Sequence, residues 1–366
     1  MNSPHPILQH FQLPLPPTTT SPLGEGFIND TYIVDTQGTT KYVLQRKNGH
    51  IFQNIPGMVD NICKVTEHIR KKAVTQGKDP ERCTIRLYPT HDGKYYHSDQ
   101  DQSHWVCMYY IPDTLCYDSA SSPRLAYSGG AGIGLFQEQV SDFTDDLAQV
   151  LPGFHDIRYR FSQWDTAIAE NRVNRVKDLT REIDWIEERR SEMLAFKTLI
   201  ENQTIPPRVS HNDTKISNIL FDTNGEVLCV IDLDTIMKSS ILYDFGDAIR
   251  SYTNTAAEDE PQIKKIDINL PFFEAYTNGY LSFAHRFITP IEVEWLAFAA
   301  KYITYEQVLR FLMDYIDGDR YYKIRYPDHN IVRTRAQYAL LQKMEQAYPK
   351  MQAIISKIFI PLQIHL

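Results

Sequence analysis

Residues 209–234 read VSHNDTKISNILFDTNGEVLCVIDLD. Two short apolar runs, Ile219–Asp222 and Val227–Leu233, flank Asn224-Gly225. Asn-Gly between apolar runs is the strongest short-range hairpin signal, because both residues accept positive φ. Asn218 enters the first strand and Asp232 ends the second, so antiparallel pairing returns both to one end. Just upstream stands His211-x-Asp213-x-Lys215-x-x-Asn218, four typed positions within eight residues. An amide oxygen and a carboxylate are hard donors of the kind Mg²⁺ takes, which makes Asn218 and Asp232 the candidate metal ligands. Asp213 is the candidate to orient an acceptor hydroxyl and accept its proton. The Lys215 ammonium, two residues on, can neutralise charge that develops on a transferred group. His211 is expected to support the loop backbone rather than to exchange protons.

Alone, an HxD or an Asp at a strand end means little. The full set points to phosphoryl transfer from Mg·ATP to a hydroxyl. Asp244-Phe245-Gly246 spells a tripeptide that binds metal in protein kinases, yet it lies twelve residues past Asp232 with no hairpin to return it beside Asn218. Asp244 is therefore expected to buttress the catalytic loop through backbone hydrogen bonds.

Around this core the chain divides by pattern. Residues 1–22, rich in Pro and Thr, predict a flexible lead-in. Residues 23–111 predict a β-rich lobe, with strands at Phe27–Asp35, Lys41–Arg46, Thr84–Tyr88 and His104–Ile111. One helix at 57–75 interrupts it, with Val59, Ile62, Val65, Ile69 and Ala73 on one face. Ile111-Pro112-Asp113 breaks the last strand. Residues 112–366 then predict a helical lobe carrying the hairpin, with helices at 131–151, 165–203, 290–316 and 331–357. The fold class is α+β, with a small β-rich lobe and a large, mainly helical one.

Composition sets the outer bounds. The 366 residues carry 38 Lys+Arg against 46 Asp+Glu, a net charge of −8, which argues against a dedicated nucleic-acid or anionic-membrane binder. An odd number of cysteines, five, without CxxC spacing argues against a disulfide framework and for a reducing compartment. The N-terminus has no apolar signal-peptide core, and no apolar run reaches membrane-spanning length, so the expectation is a soluble, cytoplasmic protein.

HNDTKISNILFD, VIDLDT, YDFGDAIRS and NTAAEDE together resemble the aminoglycoside phosphotransferase/choline kinase superfamily, and within it the N-acetylhexosamine 1-kinases. FINDTYIV, YVLQR, LPGFHD and YEQVLRFLMDYIDGD extend the likeness over nearly all the chain after residue 22. The resemblance implies a bilobal, protein-kinase-like fold. It raises Gly24-Glu25-Gly26, otherwise a plain turn, to a phosphate-approaching one through Gly24 and Gly26. It also implies a cation on the ATP phosphates at Arg46, or Gln45 if the register slips by one, with Glu67 to orient it. Adenine is expected on the backbone near Met108, Tyr109 and Ile111. Arg310 and Tyr322, in the segment that also holds Asp314, are implied to face the acceptor. Phe27 stands where the subgroup commonly has His.

The reading is thus an ATP- and Mg²⁺-dependent kinase of a small hydroxylated molecule, first choice the anomeric hydroxyl of an N-acetylhexosamine, acting as monomer or homodimer. Another acceptor (an aminoglycoside, an amino alcohol or a different sugar) remains open, since Asp30, Glu258, Asp259 and Glu260 could make an acidic pocket. A catalytically inactive nucleotide-binding protein is the alternative from another class.

Overall fold

The structure, a computed structural model, describes residues 4–24 and 28–363. It resolves into two compact units. One comprises the chain up to Cys116 with Gln139–Pro152 and Asn218–Lys238; the other comprises Tyr117–Glu138, Gly153–Ser217 and Ser239–Leu366.

The first unit is built on an antiparallel five-stranded sheet of order β1-β2-β3-β5-β4. Its strands are β1 (Pro17–Pro22), β2 (Asp30–Thr36), β3 (Tyr42–Lys47), β4 (His97–Ser98) and β5 (His104–Tyr109). Residues 1–22 were expected to be loose. Instead, His5–His10 form a 3₁₀ turn and β1 pairs with β2 along Thr19–Pro22. The cause is hydrophobic: Leu8 and Phe11 bury against Val34, Tyr42, Leu44 and Trp105 and cover one face of the sheet. The predicted strand at Thr84–Tyr88 reduces to a bridge between Leu87 and Met108. Helix α1 (Ile55–Thr75) has Asn54 as its N-cap, accepting from the Gly57 N–H, and Pro56 in its first turn. A one-turn helix α2 (Pro80–Cys83) follows.

The hairpin also belongs to this unit. Strands β6 (Thr114–Leu115), β8 (Ile219–Asp222) and β9 (Val227–Val230) form a second sheet of order β6-β8-β9. Because β6 pairs with β8, the compact unit runs on to Cys116 and takes in the hairpin, unlike the division at 111/112 expected from pattern. The turn differs in detail too. The Gly225 N–H donates to Asp222 O and the Asp222 N–H to Glu226 O, and among the turn residues Gly225 has positive φ (81°). This is a three-residue loop of type I turn plus a left-handed glycine rather than a two-residue Asn-Gly turn.

The second unit is helical and includes the short strand β7 (Arg208–Ser210) just before the HxDxKxxN loop. Its helices are α3 (Pro123–Gln139), α4 (Ile157–Glu170), α5 (Thr180–Glu187), α6 (Arg190–Glu201), α7 (Ile241–Tyr252), α8 (Leu270–Ala284), α9 (Pro290–Ile316) and α10 (His329–Gln363). The continuous helix expected over 165–203 is three; the first break comes where Asn171 and Asn174 adopt left-handed φ (40° and 59°) and end α4. Helix α9 begins at Pro290 behind a full Thr289/Glu292 capping box. Helices α3 and α8 pack backbone to backbone: a methyl on Gly130 would meet the Tyr276 carbonyl, and one on Gly279 the Tyr127 carbonyl. Among the described residues no helix is long and apolar enough to cross a membrane.

Candidate active site

In the sheet unit the hairpin performs the placement its sequence suggests. The Ile231 N–H donates to Asn218 O at 2.8 Å, which extends the β8–β9 ladder to its open end. Asp232 follows immediately in left-handed conformation (φ 59°, ψ 56°), which lifts it out of the strand to solvent. Asn218 is buried there. One amide and one carboxylate therefore leave the same end of one hairpin, a hard-oxygen pair chemically suited to Mg²⁺.

The next carboxylate, Asp234, was not singled out by the sequence. The Lys47 ammonium donates to its two oxygens at 2.6 and 2.9 Å, with side-chain exposures of 2% and 5%. Asn29 Nδ2 donates to Asp234 Oδ2 at 2.7 Å, and the Asn48 N–H in turn holds Asn29 Oδ1. Lys47 also donates to Gln45 Oε1. β3 thus delivers a buried cation to the segment that carries Asp232.

Arg46, the cation expected at this place, points the other way. It pairs with Asp30 and lies over the Trp105 ring, with its side chain 43% exposed. Glu67 does not orient it: the Glu67 ion pair is with Lys71 on the outer face of α1. What α1 contributes is the fully buried Asn61, which donates to Ile236 O just past Asp234 and exchanges two hydrogen bonds with Ala148. Gly24 has positive φ (69°) and open space around it, as a backbone-exposing turn requires. Gly26 and Phe27 lie outside the described residues. Met108 and Tyr109 end β5, and Ile111 is buried. The Tyr109 and Tyr110 N–H groups are already engaged, by Arg86 O and Lys41 O.

In the helical unit the catalytic loop is pinned from beneath. Asp244, at the start of α7, accepts the backbone N–H groups of His211 (2.9 Å) and Asn212 (2.7 Å), and Gln137 Nε2 at 2.8 Å. Tyr280 donates to Gln137 and holds it in turn. Asp244 thus buttresses the loop as its position suggested. Burial raises its carboxyl, against the pull of His211 and the N–H donors. Asn212 has φ 65°, the bend that turns both N–H groups onto one carboxylate. One turn further along α7, Asp247 accepts the Thr214 N–H and pairs with Arg250. Burial works to raise its carboxyl, but Arg250, Lys215 and His155 hold it below the usual range.

His211 is fully buried, its ring edge against Phe136, and its Nδ1 accepts the Asp213 N–H at 3.2 Å. His211 thus serves the loop backbone. Above this platform Asp213 is partly exposed and pairs with Lys215, Nζ to Oδ1 at 2.9 Å. A rigid loop carrying a half-open carboxylate beside an ammonium suits proton acceptance next to a charged group in transfer.

Arg310 sits near the C-terminal end of α9, its guanidinium 5.6 Å from the ring centres of Tyr321 and Tyr322. Asp314 shapes the turn that brings those tyrosines there: it accepts the N–H groups of Arg320, Tyr321 and Tyr322 and the Asn330 amide. Glu306, one turn before Arg310, is buried. Burial works to raise its carboxyl, but His155, Arg160 and Arg310 hold it down to about 2.

Comparison with known proteins agrees with this architecture. The model of the phosphotransferase enzyme family (APH) matches residues 19–286. An aminoglycoside phosphotransferase from Alicyclobacillus acidocaldarius superposes with a TM-score of 0.61 at 13% identity, covering 96% of this chain and 95% of that one. A microcompartment-associated aminopropanol kinase gives 0.59 at 15%, covering 95% and 97%. An amicoumacin kinase, solved in complex with AMP-PNP, Ca²⁺ and Ami, gives 0.56 at 15%, covering 91% and 90%. At these identities the structures establish a shared fold. The family match, over most of the chain, establishes membership: the protein belongs to the phosphotransferase enzyme family and has its kinase-like fold.

Proposed function

We propose that this phosphotransferase moves the γ-phosphoryl group of ATP to a hydroxyl of a small polar acceptor, in first place the anomeric hydroxyl of an N-acetylhexosamine. The observation that carries the reaction type is the pinned loop: Asp213, with Lys215 on its carboxylate, stands on a backbone that Asp244 and Asp247 hold by hydrogen bonds. Asp213 orients the acceptor hydroxyl and takes its proton at a carboxylate oxygen. Lys215 balances charge on the phosphoryl oxygens. Asn218 and Asp232 would hold a divalent ion, which supplies charge neutralisation for the ATP phosphates when bound. Lys47, rather than Arg46, is the cation of β3 for those phosphates, because it shares the segment of Asp232 and Asp234 whereas Arg46 faces the opposite side of the sheet.

Acceptor choice rests on the resemblance around Arg310 and Tyr322 and on charge. The acidic residues that could welcome a cationic acceptor already have counter-charges: Asp30 pairs with Arg46, Glu258 with Arg250, and Asp259 with Arg325. An amine-bearing acceptor would meet Arg310 with like charge. This favours a neutral or acidic sugar. The test is ADP release with Mg·ATP against N-acetylglucosamine, N-acetylgalactosamine, an aminoglycoside and choline, with the phosphorylated position located by ³¹P NMR. Turnover of the N-acetylhexosamines alone, with phosphate on the anomeric oxygen, is expected. Turnover of an amine-bearing acceptor alone would overturn the sugar assignment.

A further inference from the structure

The segment between α7 and α8 closes on itself at its base, where Asn254 bridges Ile268 and the Thr255 N–H donates to Asp267 O. Its tip is fastened to α10. The Gln337 amide donates to Glu258 O, and His329 Nε2 lies 2.9 Å from Asp259 Oδ2, with both α10 side chains buried. The backbone that carries Glu258 is therefore held in place, although the Glu258 side chain is 43% exposed. An exposed ion pair ordinarily contributes little, because its long side chains are free to turn. Glu258 is instead aimed inward: its Oε1 accepts Arg250 Nη1 at 2.8 Å.

The Arg250 side chain, 14% exposed, passes that contact on. Its other terminal nitrogen, Nη2, donates to Asp247 Oδ1 at 3.3 Å. Asp247 divides its carboxylate: Oδ1 takes the guanidinium, whereas Oδ2 takes the Thr214 N–H at 3.1 Å. A guanidinium is planar and its donors are fixed relative to one another, so an acceptor on one nitrogen sets the direction of the next. The orientation of Glu258 is thereby conveyed to Asp247, which holds the residue between Asp213 and Lys215. The Thr214 hydroxyl donates to Asp244 O, so α7 grips this residue at two points. Every member of the chain of contacts lies in the helical unit.

We propose that Arg250 and Glu258 are positioning residues: through Asp247 they set the backbone at Thr214, and with it the aim of the Asp213 carboxylate and the Lys215 ammonium. Both act through Asp247 and not on the reacting groups. A displacement of about 1 Å at a reacting group can cost on the order of 10²-fold in rate, so a contact chain that ends on this loop has leverage on kcat. That leverage rests on the function proposed above, whereas the hold on the loop does not.

The test uses the full chain with Glu258→Gln, Arg250→Gln and the double variant. Glu201→Gln, which breaks an exposed ion pair with Arg158 in the same unit, is the control. The first readout is amide hydrogen exchange by mass spectrometry, without nucleotide or acceptor. The peptide spanning residues 209–216 should lose protection several-fold in Glu258→Gln and more in Arg250→Gln, while peptides of α9 keep theirs. The second readout is steady-state turnover with Mg·ATP and the best acceptor. There kcat should fall several-fold in Glu258→Gln and about tenfold or more in Arg250→Gln, with KM for ATP and for the acceptor within about twofold of wild type. Residues that act through one chain of contacts lose their effect once it is cut, so the double variant should lose no more than Arg250→Gln alone. Wild-type protection of 209–216 in both single variants would overturn the proposal. So would multiplied losses in the double variant, a raised acceptor KM at unchanged kcat, or an equal loss of protection in Glu201→Gln. Glu258→Gln, at a half-exposed position that folding tolerates, serves if Arg250→Gln does not fold. A wild-type chain that releases no ADP with any acceptor would count against the proposed function, and the exchange readout would still decide the hold on the loop.

Discussion

Asp234→Ala is the perturbation with the sharpest expected consequence for the sheet unit. The variant removes both carboxylate oxygens that Lys47 reaches at 2.6 and 2.9 Å, in a pair whose side chains are 2% and 5% exposed. The ammonium keeps Gln45 Oε1 alone, and Asn29 Nδ2 loses its acceptor. Breaking a buried ion pair from one side costs about 3–5 kcal/mol, because the remaining charge is left desolvated. At about 2.1 cal/mol/K per residue, a 366-residue chain loses roughly 1.3 °C of melting temperature per kcal/mol, so the midpoint should fall by about 4–6 °C. The decisive comparison is the double variant Lys47→Met/Asp234→Leu, which removes both charges and keeps apolar volume. The buried Asn29 amide and the partly buried Gln45 Oε1 then lose a partner, at about 1–3 kcal/mol with no buried charge left over, so the double variant should be more stable than Asp234→Ala. Urea midpoints for wild type, both single variants and the double variant, at low and high salt, measure this directly. A buried pair is little screened, so the differences should persist in salt. A loss below about 1 kcal/mol for Asp234→Ala, or a double variant as unstable as the sum of the singles, would refute the reasoning.

Other outcomes follow from the same geometry. Asp244→Ala strands the His211 and Asn212 N–H groups, and should lower kcat while leaving ATP binding, measured calorimetrically, near wild type. Gly130→Ala drives a methyl into the Tyr276 carbonyl and should cost about 1–3 kcal/mol in denaturant unfolding. Glu306 has a folded pKa of about 2 against an ordinary 4.5. Its contribution, of order 3 kcal/mol, is present in full above pH 4.5 and is lost as pH falls towards 2. Acid unfolding of Glu306→Gln should therefore be flatter than wild type across that window.

The parts of the molecule that were legible in sequence are those fixed by local chemistry. The hairpin announced itself because Asn224-Gly225 separates two apolar runs, and the helical pattern expected at 290–316 matches α9 to the residue. What depended on burial by distant chain was not visible. The resemblance placed the phosphate cation at Arg46, or at Gln45 if the register slipped, and nothing local to β3 says which of its faces distant chain covers. In the structure Leu8 and Phe11 cover one face, so Arg46 sits on the covered side with Trp105, and Val43, Gln45 and Lys47 share the other. The role proposed for Lys47 differs from the expectation by one residue of register. Helix α7 escaped pattern reading for a related reason. Asp244, Asp247 and Ser251 do recur on one face, but ten of its twelve residues are buried, both carboxylates included, so the polar positions mark a pinned interior rather than a solvent face. Asp234 was passed over because its role needs Lys47, 187 positions away.

The account stands or falls on Asp213. Asp213→Asn keeps the shape of the side chain and removes its ability to accept a proton, so the full chain should bind Mg·ATP as wild type does while kcat for the best acceptor falls by ~10²–10⁴. A variant that turns over within a few-fold of wild type would contradict it.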